Sequence, residues 1–78
     1  FANVESLFNL FDLFEKESKF LIEKKFSLPA YDQCLKASHV FNTLDARGAI
    51  GVAQRAEYIS RIRELTKSIG EIWLESQK

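Results

Sequence analysis

The sequence has few of the residues on which small folds and chemical sites usually depend: one cysteine, one proline and one histidine in 78 residues. A single cysteine excludes an internal disulfide and a cysteine-based metal cluster, and it fits a reducing compartment. No apolar run approaches the roughly 20 residues that a membrane-spanning helix needs. The start also lacks the regions of a signal peptide. We therefore expect a cytoplasmic protein without a membrane partner.

The sequence also lacks an excess of charge of either sign, with 11 Lys and Arg against 11 Asp and Glu. A free-standing nucleic-acid-binding module more usually shows a basic face, so the balance argues against one. The length allows one domain, at residues 1–78. Because the first residue is Phe1 and a helical pattern begins at once, we expect a piece of a longer chain.

Apolar residues recur at intervals of three and four, which predicts an all-α fold of three antiparallel helices at about 2–25, 29–46 and 52–76. The helices would form a bundle or an open up-down-up array. Asn3 can cap the first helix. Its apolar stripe is widened by Leu10, Leu13 and Phe20, which predicts a helix covered by neighbours on both sides. An aromatic ligand pocket is the alternative.

Local signals place the other two helices. Pro29 suits the first position of the second helix, and Gly48 suits its end. Gly51 is an acceptable cap for the third helix, with Gln54 reaching back to it. Gly70 lies inside that helix, where glycine costs about 1 kcal/mol relative to alanine, so we expect a close-packed neighbour there. Small residues of the second helix would let another helix approach closely: Ala30, Cys34, Ala37 and Ser38.

The sequence shows no catalytic, cofactor-binding or metal-binding pattern. His39 has no acidic residue three or four positions away and reads as a solvent-facing or hydrogen-bonded histidine. Cys34 lies on the small-residue stripe and reads as a packed thiol. No phosphate-binding glycine loop is present, and no set of ligands has metal-binding spacing.

Five residues remain as candidate contacts to another subunit or to RNA. Asp45 and Arg47 close the second helix, where they either fix the turn or face a partner. Arg55, Arg61 and Arg63, with Lys67, form either a basic patch or a solvated face of ion pairs with interleaved glutamates. Pairs at i,i+4 predicted to support the helices are Glu15–Lys19 and Glu57–Arg61.

Residues 28–51, LPAYDQCLKASHVFNTLDARGAIG, carry a specific family pattern. The matching positions are 28–32, 35–39, 41–42 and 44–50, within LPAYD-x-x-LKASH-x-FN-x-LDARGAI. The pattern continues as ANVE-x-LF-x-LFD-x-x-EKE from residue 2 and as YI-x-RIR at 58–63. In these motifs the chain resembles the alpha subunit of the bacterial tetrameric glycyl-tRNA synthetase. Where the family commonly has Ser-Val-Thr-Glu-Arg, this chain has Gly-Val-Ala-Gln-Arg at 51–55, a weaker helix cap.

The resemblance implies a glycine–tRNA ligase with a class II catalytic core that uses ATP and Mg²⁺. It places these 78 residues in the helical C-terminal region that follows the core, and it transfers no catalytic, ATP or Mg²⁺ ligand to any residue here. Implied partners are the rest of the alpha subunit, a second alpha subunit, the beta subunit and tRNA(Gly). The segment would support assembly or tRNA positioning. Alternatives are a free-standing helical protein-interaction module and a helix-turn-helix nucleic-acid binder at residues 35–63.

Overall fold

The computed structural model describes residues 3–77 and shows three helices, α1 (Val4–Glu23), α2 (Ser27–Ala46) and α3 (Val52–Ser76). No strand occurs in this range, so the all-α prediction and the order of the helices are confirmed. The predicted start of the first helix at residue 2 lies outside the described residues. None of the three helices has the length and hydropathy required of a bilayer-spanning segment.

The two predicted amino-terminal caps are present. The backbone amide of Ser6 donates to the side-chain oxygen of Asn3 at 2.7 Å, which satisfies one of the open amides of α1. At α3, the amide of Gly51 donates to the side-chain oxygen of Gln54 at 3.2 Å. Glycine supplies no side chain in return, so α3 keeps half of a capping box.

The start of α2 differs from the prediction by two residues. The helix begins at Ser27, and its first turn closes with a hydrogen bond of 3.1 Å from the amide of Ala30 to the carbonyl of Phe26. Pro29 therefore occupies the third helical position rather than the first. Its missing N–H costs nothing there, because the first amides of a helix have no partner within the helix.

The α1–α2 turn is a Schellman motif, and it ends α1 at Glu23, earlier than predicted. Lys25 and Phe26 donate backbone hydrogen bonds, both of 2.9 Å, to the carbonyls of Ile22 and Leu21. Lys25 has a φ of 63°, in the left-handed region that residues with a Cβ rarely adopt.

The α2–α3 turn has the same hydrogen-bond pattern, with glycine at the left-handed position. Gly48 has a φ of 68°. Its amide donates to Asp45 at 3.0 Å, and the amide of Ala49 donates to Leu44 at 3.1 Å. This is the role predicted for Gly48, because glycine adopts this conformation without a steric penalty.

The core has two parts. The larger lies near the α2–α3 turn and contains buried residues of all three helices: Leu7, Phe11, Ala37, Val40, Phe41, Leu44, Ile50 and Tyr58. The smaller lies between α2 and the second half of α3: Ala30, Cys34, Leu65 and Ile69. Together they leave much of the outer side of α1 uncovered.

Small residues bring α1 and α2 close together. Ala30, Cys34 and Ala37 are fully buried, as the sequence predicted. The sequence did not identify Ser18, which is also fully buried and donates its hydroxyl hydrogen to the carbonyl of Ala30 at 2.9 Å. Burial raises the pKa of the Cys34 thiol, so it stays protonated and acts as a packed apolar group.

The array of helices is elongated, with extents of 43 × 23 × 15 Å and a radius of gyration of 13.2 Å. A compact chain of this length would have a radius of gyration of about 11.5 Å. One layer of three helices leaves several large apolar side chains at the surface, and these define the candidate functional site.

Candidate functional site

Arg61 connects α3 to α1. Its Nε atom donates to Glu15 at 3.0 Å, and one terminal nitrogen donates to Glu15 at 2.5 Å and to Asp12 at 2.8 Å. The guanidinium carbon also lies 4.8 Å from the ring centres of both Phe11 and Tyr58. A planar, delocalised cation suits this site because it can bond a carboxylate at two points and stack on rings at the same time.

The pair formed by Arg61 and Glu15 stays ionised. The hydrogen bond from Arg61 lowers the pKa of Glu15 and outweighs the opposing effect of burial, with a further contribution from Lys19. The hydrogen bond to Glu15 in turn raises the pKa of Arg61. The predicted Glu15–Lys19 pair is confirmed at 4.0 Å. The predicted Glu57–Arg61 pair is wrong, since Arg61 turns toward α1 instead.

Asp45 and Arg55 join the end of α2 to the start of α3. The Nε atom of Arg55 donates to Asp45 at 3.2 Å and a terminal nitrogen donates to the same oxygen at 2.5 Å. Arg47 is the C-cap residue of α2, and its backbone amide donates to the carbonyl of Thr43 at 3.1 Å. These three candidate contacts therefore lie at one corner of the molecule, where Asp45 and Arg55 bond each other.

Arg63 and Lys67 lie on the exposed side of α3. Within residues 3–77, neither makes an ion pair, and the glutamates predicted to pair with this face do not reach them. The five sequence candidates therefore do not form one site. Arg61 lies in the interface between α1 and α3, Asp45 and Arg55 lie at a corner, and Arg63 faces outward.

His39 and Cys34 have different environments, since His39 is exposed and Cys34 is buried. His39 is exposed, and its backbone carbonyl accepts a hydrogen bond of 3.0 Å from the hydroxyl of Thr43. Among the described residues, no group of three His, Cys, Asp or Glu side chains could hold a metal ion. Gly48 belongs to the turn that ends α2.

The outer surface of α1 is apolar and uncovered. Leu13 is 49% exposed and Phe20 is 54% exposed, whereas Leu10 is partly buried and packs on the core. The Lys24 ammonium nitrogen lies 5.6 Å from the centre of the Phe20 ring. The neighbours predicted to cover both sides of this helix are therefore not supplied by residues 3–77, and that prediction stays open. We call Leu13 and Phe20 the α1 outer surface.

A groove of about 270 Å³ separates the start of α2 from the second half of α3. It is lined by Ser27, Leu28, Tyr31, Thr66, Ile69, Gly70 and Trp73. A Cβ atom placed on Gly70 would meet nothing within 4 Å, so the close-packed neighbour predicted for this glycine is not supplied by the described chain. A glycine inside a long helix marked this position in the sequence, but that signal did not show that Gly70 faces a groove.

Comparison with known protein families identifies a match over the full sequence. The family model described as glycyl-tRNA synthetase alpha subunit matches residues 1–78. The match covers all three helices, the α1 outer surface and the groove.

Proposed function

Because the chain belongs to the glycyl-tRNA synthetase alpha subunit family, we propose that it is a non-catalytic helical part of a glycine–tRNA ligase that packs against other polypeptide of the enzyme. The proposal places the class II catalytic core, and with it ATP and Mg²⁺, outside these 78 residues. The enzyme attaches glycine to tRNA(Gly) in the cytoplasm, and the segment serves its assembly.

The α1 outer surface is the observation that carries this proposal. Leu13 and Phe20 are one helical repeat of seven residues apart, so they lie on the same side of α1, and each is about half exposed. Burying such a side chain completely from full exposure is worth about 1.5–3 kcal/mol, and about half of that burial is left for a partner to supply. A docked polypeptide would supply that burial. The candidate partners are the rest of the alpha subunit, a second alpha subunit and the beta subunit.

Positioning of tRNA(Gly) is the second candidate function. Its support is that Arg63 and Lys67 are exposed and, among the described residues, without a carboxylate partner. Arg55 and Arg61 give it no support, because both hold other helices in place. If these side chains contact phosphates, the affinity of the chain for tRNA must fall steeply as the salt concentration rises.

A double variant, Leu13→Ser with Phe20→Ser, tests the assembly role in the complete alpha subunit mixed with the beta subunit. We expect assembly to weaken at least tenfold in sedimentation measurements, because the variant removes the apolar contact. Val52→Ser is the matched control, since Val52 is 90% exposed on another helix. Val52→Ser should change stability by less than about 0.5 kcal/mol, and circular dichroism of both variants checks that the helices remain intact.

Two results would contradict the assembly role. Unchanged association of the double variant would exclude the α1 outer surface. Loss of tRNA affinity with intact assembly in a variant carrying Arg63→Ala and Lys67→Ala would favour the positioning role. Glycine-dependent pyrophosphate exchange by the 78-residue chain alone would contradict its non-catalytic assignment.

A further inference from the structure

The α1 outer surface is bordered by charges that complement one another when the surface meets a copy of itself. We propose that it packs against the same surface of a second copy of the chain, with the two α1 helices parallel about a two-fold axis. This inference rests on the proposed function, since it names the partner of that surface.

Leu13 and Phe20 form the apolar centre of the contact. They are 49% and 54% exposed and lie seven residues apart, on one side of α1. In a parallel pair with two-fold symmetry, each residue of the seam meets its own equivalent in the second copy. Apolar residues that repeat every seven positions are the basis of packing between two such helices.

Four exposed charged residues border this centre, two on each side of α1: Lys16, Glu23, Glu17 and Lys24. Lys16 and Glu23 lie on the side from which Asp12 reaches α3 to bond Arg61. Glu17 and Lys24 lie on the other side, toward Phe14, whose ring faces Lys36 of α2. The two border charges on each side of α1 are therefore opposite in sign.

A parallel two-fold pair brings opposite charges together at all four positions. The symmetry places the α3 side of one α1 helix against the α2 side of the other. Lys16 then meets Glu17 of the second copy, and Glu23 meets Lys24 of the second copy, because adjacent residues differ by only about 1.5 Å in height. Each pair occurs twice, so the surface is self-complementary in charge.

The four border charges are available for a partner. Among residues 3–77, no carboxylate pairs with Lys16 or Lys24, and no cation pairs with Glu17 or Glu23. The Lys24 ammonium nitrogen lies over the Phe20 ring, 5.6 Å from its centre, which leaves its charge at the edge of the apolar centre.

The remaining charges of α1 do not oppose this pairing. Asp12 is bonded to Arg61 at 2.8 Å, and Lys19 lies 4.0 Å from Glu15. Glu5 lies on the α3 side, two turns before Leu13, where the second copy would present the uncharged Ser6. No like charges are therefore brought together along the seam.

An antiparallel pair fits the α1 outer surface less well, because its symmetry places the same sides of the two helices together. With Leu13 opposite Phe20, Lys16 would meet Lys16 of the second copy and Glu17 would meet Glu17 of the second copy. Sliding the helices until opposite charges meet would centre the pair on Phe20 and leave Leu13 beyond the end of the second α1. The parallel pair satisfies the apolar and the charged residues together.

Sedimentation equilibrium of the 78-residue chain over a series of concentrations measures the pairing. One helix from each copy makes a small contact, of the size that gives weak and reversible association. We expect an equilibrium between monomer and dimer, with the dissociation constant raised in the variant Leu13→Ser with Phe20→Ser. Circular dichroism of every variant checks that the helices remain intact.

An exchange of charges tests the parallel arrangement. Lys16→Glu alone sets two carboxylates against each other in both copies of its pair, and should raise the dissociation constant about tenfold. Lys16→Glu with Glu17→Lys restores opposite charges and should bring the constant back to within about threefold of wild type. Lys67→Glu is the matched control, since it makes the same change in net charge at an exposed residue of α3 and should leave the constant unchanged.

Three outcomes would overturn the inference. These are a chain that stays monomeric at every concentration, equal weakening by the single variant and the exchange, and rescue by Lys16→Glu with Glu23→Lys, which only an antiparallel pair allows. A monomeric chain whose double variant at Leu13 and Phe20 still weakens assembly with the beta subunit would leave the proposed function intact. Dimerisation of the chain with unchanged assembly would contradict the proposed function alone, so the two fail separately.

Discussion

Arg61 shows how a single side chain can look like a surface contact in the sequence and be an internal connection in the structure. Helical periodicity places Arg61 on a face of α3 together with other charges, but it does not say which helix lies opposite. The partners Asp12 and Glu15 are 49 and 46 residues away along the chain. Local spacing cannot predict a contact at that separation, so the sequence offered the wrong partner in Glu57.

Replacing Arg61 by lysine should destabilise the chain. Lysine keeps the charge, but it loses the two-point bond to Glu15 and the stacking on Phe11 and Tyr58. We expect the free energy of unfolding to fall by about 2 kcal/mol, since hydrogen bonds to charged groups are worth about 1.5–3 kcal/mol. Urea titration measures this. Arg63→Lys, on the exposed side of the same helix, should change it by less than about 0.5 kcal/mol.

Glu15 should make stability depend on pH in the acid range. Its pKa is lower in the folded chain than the value of about 4.3 for an unfolded glutamate. The carboxylate therefore stabilises the fold above that value, and the stabilisation is lost as the pH falls through the folded pKa. Thermal melts of wild type and Glu15→Gln between pH 7 and pH 2 should converge at low pH. Curves that stay parallel would contradict this.

At the scale of the elements, the two turns place different residues in the same backbone conformation. Gly48 was predicted as the end of α2 because glycine tolerates a positive φ. Lys25 occupies the equivalent position after α1 with a φ of 63°, and no sequence rule identified it. Lysine disfavours that conformation, so the turn depends on its surroundings, which include the ion pair of Lys25 with Glu75 at 3.2 Å.

The same substitution at two glycines should have opposite effects. At Gly48 a Cβ meets no atom within 4 Å, so the cost of Gly48→Ala comes from its φ of 68° alone. We expect this substitution to lower the free energy of unfolding by about 1–2 kcal/mol. At Gly70, inside α3, a Cβ also meets no atom within 4 Å, so Gly70→Ala should raise the free energy of unfolding by about 1 kcal/mol. Thermal denaturation of both variants measures the difference, and a shared sign would refute the explanation.

The boundaries of the helices were predicted well where side chains set them and less well elsewhere. Asn3, Gly48 and Gln54 each act locally, and each was identified with its correct role. The start of α2 was misplaced because Pro29 is compatible with any position in the first turn, and tertiary packing selected the third. No side-chain cap bond fixes this start, and Phe26 simply precedes it.

For the whole molecule, the sequence predicted the helix order, most of the core and the family, but neither uncovered surface. The apolar residues of α1 were identified correctly, and the width of their stripe predicted neighbours on both sides of the helix without showing where those neighbours come from. Which apolar residues stay exposed depends on how three helices are laid side by side. That arrangement is a property of the assembled fold, and a molecule only 15 Å thick cannot cover both sides of its helices.

The separation along the chain between bonded residues has a consequence for the folding kinetics. Ser18 and Ala30 are 12 residues apart, on either side of a tight turn, whereas Arg61 bonds Glu15 across 46 residues. Contacts between near neighbours cost less loop-closure entropy, so we expect the α1–α2 hairpin to form in the transition state and α3 to dock afterwards. In stopped-flow chevron plots, Ser18→Ala should then slow folding, while Arg61→Lys should mainly accelerate unfolding. The bond that ties α3 to α1 would thereby govern how long the folded chain lasts, and the turn between the first two helices would govern how quickly it forms.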